Sequence, residues 1–493
     1  MDTNFAHTLW TYSSALQWVR GRHAFKFGGE QRQFFNNFWQ PNNPTGLFDV
    51  SRLVTAAHPD GAHDGEDESG FSFATLMTGF AYSGDYNIVP AVADKSVETA
   101  FFVQDDWKVT PKLTVNLGLR YEWSNPYTER FNRSQFSDFT GDTGINIPGL
   151  GEIMGTTIFA TSSRRSVPVD RNNWAPRLGF AYQLTPNTVL RGGAGLFYGM
   201  NVATNFQYAG TAFRKSSQIK FTTDNYQTQN AHFEDVFPDG FSGPQGTQYG
   251  QLALWGLGNG NDLGTQTARN AEIYQWNIGL QRLLPGNIVI AADYSANRST
   301  HLPWAGTSST RNRNFLPSAA RDAAINNPEG LSASDYLGEN VPNPFQCFFT
   351  TVASPGSYCP STPTFNVPDS VYNNDEIPRI NLMRPYPQFD GSFEGLPLLA
   401  ANSWYNSLQV RFQKRTSHYL SFEGNYTFSK ATDDSSSGSN AWLGNLGADN
   451  PQALDQLRRE HGISANDTTH RFTLATVFDI PVGRGRWIGG GMW

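Results

Sequence analysis

From Leu113 to Trp123 the chain alternates strictly. Leu113, Val115, Leu117, Leu119, Tyr121 and Trp123 fall on one side; Thr114, Asn116, Gly118, Arg120 and Glu122 fall on the other. A period of two predicts a β-strand with one apolar and one polar face. The preceding run, "FFVQDDWKV", stops at Thr110-Pro111-Lys112, a stretch too short for anything but a tight hairpin turn.

The same unit recurs. "LWTYSSALQWV" turns at Arg20–His23 into "AFKFGGEQRQFF", and "WAPRLGFAYQL" turns at Thr185-Pro186-Asn187 into "TVLRGGAGLFYG". "YQWNIGLQRLL" turns at Pro285-Gly286-Asn287 into "IVIAADYSA", and "SWYNSLQVRFQKR" turns at Thr416-Ser417-His418 into "YLSFEGNYTFSK". A last run, "HRFTLATVFDI", leads into Pro481–Arg486, which has the composition of another turn. The pattern predicts about eleven long antiparallel strands.

Between hairpins lie long connections, at roughly 37–96, 125–171, 200–270, 298–401 and 432–466, far longer than the loops of compact soluble domains. Short and long connections alternate, so in an antiparallel sheet all short turns gather at one end and all long loops at the other. That asymmetry is expected of an outer-membrane barrel, with short periplasmic turns and long extracellular loops. One extra strand would upset it. Phe71–Gly84, "FSFATLMTGFAYSG", is therefore read as part of a loop, either a short helix or both arms of a small hairpin.

Strand length separates lipid from a protein core. Ten or eleven residues at ~3.3 Å each, tilted by about 40°, cover an apolar band roughly 25 Å tall, whereas soluble strands average about five or six residues. Trp123, Trp174, Trp276, Trp404 and Tyr426 sit near strand ends, where amphipathic rings meet a membrane interface. Arg282 and Lys414 share the apolar face but lie close to turns, within snorkelling reach of headgroups. Asp105-Asp106 is the awkward pair: adjacent carboxylates point to opposite faces unless a bulge intervenes, and either an interfacial position or a bulge would accommodate them. On the polar face Arg120, Glu122, Arg177, Arg191, Gln275, Gln281, Arg411 and Glu423 are the candidates to line an aqueous lumen, or to hydrogen-bond one another across its wall. A soluble core of such residues would need many buried partners.

Composition agrees. Aromatic residues make up 14% and charged residues only 16% of the 493 residues. A net charge of −7 with no concentrated basic patch argues against nucleic acid as a partner. No run is long and apolar enough for a transmembrane helix, which leaves strand-built membrane proteins open. "MDTNFAHTLW" lacks the features of a signal peptide, so either the protein stays in the cytoplasm or the start is missing. Cys347 and Cys359, in a Gly/Pro/Ser/Thr-rich stretch, suggest a disulfide and an oxidising compartment, against the alternative of two free thiols.

Little else points to chemistry. "HDGEDESG" (His63–Gly70) is acidic but lacks calcium-loop spacing and reads as a solvated loop. "WGLGNGND" reads as a loop and "RGGAGLFYG" as a strand with small lumen-facing residues; neither fits a phosphate-binding fingerprint. The nine His residues form no zinc-protease or nucleophile-elbow motif. No catalytic residue, metal site or cofactor is expected, and an enzyme is not.

"FFVQDDWKVTPKLTVNLGLRYEW", "NNWAPRLGFAYQLTPNTVLRGGAGLFY", "YQWNIGLQRLLPGNIVIAADYSANRSTHL", "NSLQVRFQKRTSHYLSFEGNYTFSKATDD" and "THRFTLATVFDIPVGRGRW" together resemble the barrel of TonB-dependent outer-membrane receptors, and most of all their Oar-like (OmpA-related) branch. The resemblance runs from about Leu9 to Trp493 and is carried by strands rather than loops. It implies a barrel of 22 strands, a plug domain inside it, coupling to a TonB complex and outer-membrane lipid as the surroundings. The sequence departs from that pattern: it shows no signal peptide, plug or TonB box, about half the strands, and Trp493 after a Gly-rich tail where a closing strand would be. Residues 1–493 are accordingly expected to be a partial barrel domain of a longer receptor. Alone, such a sheet is not expected to insert as a stable half-barrel, because its open edges expose unpaired backbone groups to hydrocarbon.

The expected function is energised uptake of a bulky nutrient of unknown identity. One alternative is a surface protein of the same fold used for adhesion or export. Another is a soluble β-rich carbohydrate-binding protein or enzyme, since Trp, Tyr, Asn and Gly also suit sugar sites.

Overall fold

The computed structural model describes residues 4–480 and 482, apart from 42, 58–68, 200–208, 225, 227, 239, 242, 256–262, 265–268, 304–311, 368–369, 396–398, 418–419 and 435–452. Its centre is a 12-stranded sheet in which all neighbours pair antiparallel. Eleven of these strands are long: β1 (Asn4–Arg20), β2 (His23–Trp39), β3 (Val92–Thr110), β4 (Leu113–Glu129), β5 (Trp174–Thr185), β6 (Thr188–Gly199), β7 (Ala271–Leu284), β8 (Ile288–Pro303), β9 (Leu399–Ser417), β10 (Leu420–Asp433) and β11 (His470–Phe478). They follow one another in chain order across the sheet, and the two-residue strand Gly462–Ile463 pairs with the end of β10.

Every described short turn lies at one end of the sheet and every long connection at the other. His418 of the Thr416-Ser417-His418 turn, and all of Pro481–Arg486 but Val482, fall outside the described residues. Phe71–Gly84 stays off the main sheet, so strand parity holds. Ser72–Met77 is a short helix, and Ser83–Ile88 joins a small sheet with Leu47–Asp49 and Lys215–Ile219. Strand lengths differ from the ten or eleven residues the pattern suggested: β3 has 19 residues and β11 has 9. The extra length lies mainly on the loop side. There Phe34–Trp39 continues the ladder although its sequence, "FFNNFW", no longer alternates.

The sheet is open within the described residues. Eleven is an odd number, so β1 and β11 run in the same direction, from the loop end to the turn end. Joining them directly would make one parallel seam.

Register fixes the faces. Trp10, Tyr12, Leu16 and Trp18 of β1 share a side with Phe101 of β3, Leu117 of β4, Leu178 of β5, Ile278 of β7, Leu408 of β9, Phe428 of β10 and Leu474 of β11. These side chains stay about half exposed, with Leu16 at 59%, Ile278 at 50% and Leu408 at 46%. Among the described residues no second layer of polypeptide covers them. A soluble sheet would bury this side. Leaving it bare to water would forfeit about 25 cal/mol for each Å² of apolar surface, so hydrocarbon is its natural neighbour.

The true hydrophobic cores are built by the loops. The largest brings the hairpin Gln135–Ile147/Gly151–Phe159 together with residues 249–255 and 345–393. Trp255, Phe345, Tyr372, Phe389 and Phe393 are fully buried there, and the Cys347–Cys359 disulfide staples its edge. Buried polar groups are tied in as well: the Tyr372 hydroxyl donates to the Pro387 carbonyl (2.7 Å), and the Gln388 amide donates to the Met154 carbonyl (2.7 Å). Burial pushes the Tyr372 phenol far above its usual range, so it stays a neutral donor.

Candidate functional site

The polar side of the sheet is the chemically rich one. Alternation along each strand and the cross-strand register put all eight residues singled out from the sequence on it. Arg120 and Glu122 come from β4, Arg177 from β5 and Arg191 from β6. Gln275 and Gln281 come from β7, Arg411 from β9 and Glu423 from β10. They form neighbourhoods rather than one cluster.

The first neighbourhood spans β2, β3 and β4 toward the loop end. Arg120 Nε binds Glu122 Oε2 at 2.5 Å, and Glu122 is nearly buried. On the same side Arg32 pairs with Glu30 and stands directly opposite Glu98, itself two residues from Ala100, the partner of Glu122. Glu30, Arg32, Glu98, Arg120 and Glu122 therefore make a band of alternating charge. Only Arg120 and Glu122 stand out as lumen candidates from the sequence alone. The signal for the others was present, since Glu30 and Arg32 alternate along "FKFGGEQRQFF", but pairing with β3 is needed to bring Glu98 beside them.

The second neighbourhood lies on β5 to β8. Arg177 stacks over Phe197, its guanidinium carbon 4.4 Å from the ring centroid. Arg191 is opposite Gly279, and Gly279 is opposite Asp293. That glycine has a steric reason: a Cβ built there would stand 1.7 Å from Asp293 Oδ1. Gln275 and Gln281 flank this row on the same polar side, four residues before and two residues after Gly279. The third neighbourhood joins Arg411, opposite Asn425, with Glu423, opposite Gln413. Nearby Ser407 donates to the Ser295 carbonyl (3.1 Å) and Gln409 donates to Ser407 Oγ (3.2 Å).

Asp105 and Asp106 are separated by alternation, with no bulge between them. Asp106 joins the polar side, where Asn116 and Gln104 donate to its Oδ1 (2.5 and 3.0 Å). Asp105 points to the apolar side, and its Oδ2 lies 2.7 Å from His23 Nδ1. The His23 ring is stacked against both Phe25 and Trp107, near the turn end. A partner 82 residues away makes the apolar-side carboxylate tolerable. At the loop end of the same side Tyr121 stacks on Trp174 at 4.4 Å and meets Trp123 at 5.5 Å, so aromatic rings gather at both ends of the apolar band. Arg282 and Lys414 also lie on the apolar side, two and three residues from the strand ends Leu284 and Ser417.

A hollow of 1120 Å³ also lies on the apolar side, with Leu117, Leu119, Leu178, Leu196 and Trp276 in its wall. Its lining suits acyl chains better than a polar solute. Of the two motifs noted for their composition, His63–Gly70 lies outside the described residues except for Ser69 and Gly70, and "WGLGNGND" except for Trp255. No helix among the described residues is long and apolar enough to cross a membrane.

A family model described as "Outer membrane beta barrel domain" matches residues 2–493. No curated protein matches the chain. Among solved structures, the alcaligin outer-membrane receptor FauA of Bordetella pertussis is similar at 10% identity and a TM-score of 0.34, with 97% of this chain and 44% of that one covered. The ferric-catecholate import receptor Fiu of E. coli K12 is similar at 11% identity and a TM-score of 0.36, over 97% of this chain and 42% of that one. The ferric yersiniabactin uptake receptor FyuA of Yersinia pestis is similar at 7% identity and a TM-score of 0.33, over 87% and 36%. The chain spans less than half the length of these solved structures.

Proposed function

The chain belongs to the outer membrane β-barrel domain family and resides in the outer membrane, and from that premise we propose that it is part of the wall of a TonB-dependent receptor of the Oar-like branch. The observation that carries this reading is the two-sidedness of the sheet: one side bare and apolar, the other lined by Arg, Glu and Gln from every strand pair. In this reading the polar side faces an aqueous lumen occupied by a plug domain, and TonB pulls on that plug. A complement of eleven further strands, again odd, would restore antiparallel pairing at both seams of a 22-stranded barrel. The eight polar-side residues then hold the plug and line the solute's path, with the guanidinium groups of Arg177, Arg191 and Arg411, which form no ion pair among the described residues, offering hydrogen bonds to oxygen-rich solutes. The soluble alternative gives way to the family membership.

The cargo in this reading is a bulky nutrient such as an oligosaccharide or peptide. The test is accumulation of size-graded labelled oligosaccharides and peptides by cells making the complete receptor. Accumulation that disappears with a protonophore, and falls when Arg177, Arg191 and Arg411 are changed together to Gln, supports uptake. Accumulation indifferent to the proton-motive force overturns it. Adhesion has one observation in its favour: the loop end carries its own disulfide-stapled core, which makes a firm surface for a partner. Cell binding that persists without energy, with no uptake, would favour that reading.

A further inference from the structure

On the apolar side, toward the loop end of β8, β9 and β10, lies a row of directly opposed residues: Arg298, Trp404 and Thr432. One pleat further out on the same side are Asn402 and Asp434; one pleat inward, toward the membrane, is the exposed Lys430, opposite Asn406. Residues of the segment Leu457–His461 stand beside this corner and border an open hollow of 620 Å³, with Trp404, Asp434, Arg458 and His461 in its wall. Arg298 lies over the Trp404 ring at 5.8 Å and His461 meets the same ring edge-on at 4.8 Å. The carboxylate in the hollow is already engaged: Asp434 accepts from Asn402 (2.7 Å) and lies 3.1 Å from His461 Nδ1. Arg298, Lys430 and Arg458 stay exposed. Directly below them on the same side are Leu408 and Phe428, at 46% and 48% exposure.

The arrangement is a hydrocarbon wall topped by a ledge of cations and one Trp ring. In the acyl region each cation would be costly; at headgroup level that cost largely disappears and an anion makes the position favourable. We propose that this corner binds the phosphorylated headgroup of an outer-leaflet lipid, with Arg298, Lys430 and Arg458 on the phosphate and the acyl chains against Leu408 and Phe428. The proposal rests on the reading of the apolar side as the lipid face and of the loop end as the outer one.

The complete receptor in detergent micelles is mixed with lipid A, with its dephosphorylated form, or with inorganic phosphate, and retained ligand is read by native mass spectrometry. Each cation near an anionic group contributes about 1 kcal/mol, or roughly fivefold, so Arg298→Gln, Lys430→Gln and Arg458→Gln together are expected to weaken lipid A binding by on the order of 100-fold. Lys112→Gln, in the turn at the far end, is expected to leave it unchanged. The single change Arg458→Gln, on an exposed loop residue, is expected to give a smaller loss and covers the case in which the triple variant misfolds. Equal retention of the phosphorylated and dephosphorylated lipids, full binding by the variants, or displacement by inorganic phosphate at the lipid's own concentration would overturn the proposal. Spin labels on Ile278 and Leu408 report separately on the lipid face; if they remain in hydrocarbon while lipid A fails to bind, the headgroup site alone is refuted.

Discussion

Replacing Ile278 by Arg is the sharpest local perturbation of the two-sided sheet. Ile278 lies on the apolar side of β7, is 50% exposed, and stands six residues from the strand end at Leu284. Six residues span about 20 Å along the strand, or roughly 15 Å of depth at a tilt near 40°, which is close to the middle of an apolar band about 25 Å tall. A guanidinium there is expected to cost ~2–4 kcal/mol, on the order of 30- to 900-fold in the folding equilibrium. Its chain neighbour supplies the control. Asn277 faces the polar side, opposite Gly193 and Ser295, so Asn277→Arg has room and a wet surrounding and is expected to stay within about 0.5 kcal/mol of the parent. Arg282, on the apolar side but two residues from the strand end, shows how a cation is tolerated once it reaches the rim. The assay is reversible urea unfolding of the complete receptor in phospholipid vesicles, followed by Trp fluorescence and protease protection. Equal penalties for the two variants, or a larger one for Asn277→Arg, would refute the assignment of faces.

Other consequences follow from single features. The Cys347–Cys359 disulfide closes a loop of sequence separation 12, so changing both to Ser is expected to lower the stability of the loop core by about 3 kcal/mol, read as earlier urea unfolding and faster trypsin cleavage within residues 340–393 while strand signals persist. Phe412 packs across β9 and β10 onto Gly424, where a Cβ would stand 2.0 Å from the ring; Gly424→Val is expected to cost about 1–3 kcal/mol, and Phe412→Leu added to it to recover part of that loss, both read by thermal unfolding. Burial raises the phenols of Tyr372 and Tyr386 above their ordinary value of 10.0. Because the folded state holds these protons more tightly, their contribution is intact below about pH 10 and is lost as pH rises beyond it. Alkaline unfolding of the loop core should therefore shift to higher pH in Tyr372→Phe, monitored by near-ultraviolet circular dichroism; an unchanged profile would remove that phenol from the account.

Alternation along one strand is a local signal, and it was legible wherever a strand has one face in each environment. Leu113–Trp123 and Tyr274–Leu284 show it without any knowledge of the sheet, and the eight polar-side residues were readable for the same reason. What was hidden depends on partners distant in sequence. His23 contacts Asp105 from another hairpin, and the pair has no signature in either strand alone. The band formed by Arg32, Glu98 and Glu122 needs the β2–β3–β4 register. The loop core was the least legible part. Trp255, Phe345, Phe365 and Tyr372 pack together from segments with no periodicity, so their sequence resembles any polar, aromatic-sprinkled loop. The loop-side strand extensions were missed because Phe34–Trp39 leaves the membrane pattern while keeping its backbone partners.

The most direct measurement is a nitroxide scan along β7, one label at a time from Tyr274 to Gln281, in protein reconstituted with its complete barrel. Labels at 274, 276, 278 and 280 should be relaxed by oxygen dissolved in the bilayer, and labels at 275, 277, 279 and 281 by a water-soluble nickel chelate, with a period of two. A scan without that period, or with oxygen relaxing the second set, would contradict the claim that the apolar side meets lipid and the polar side encloses water.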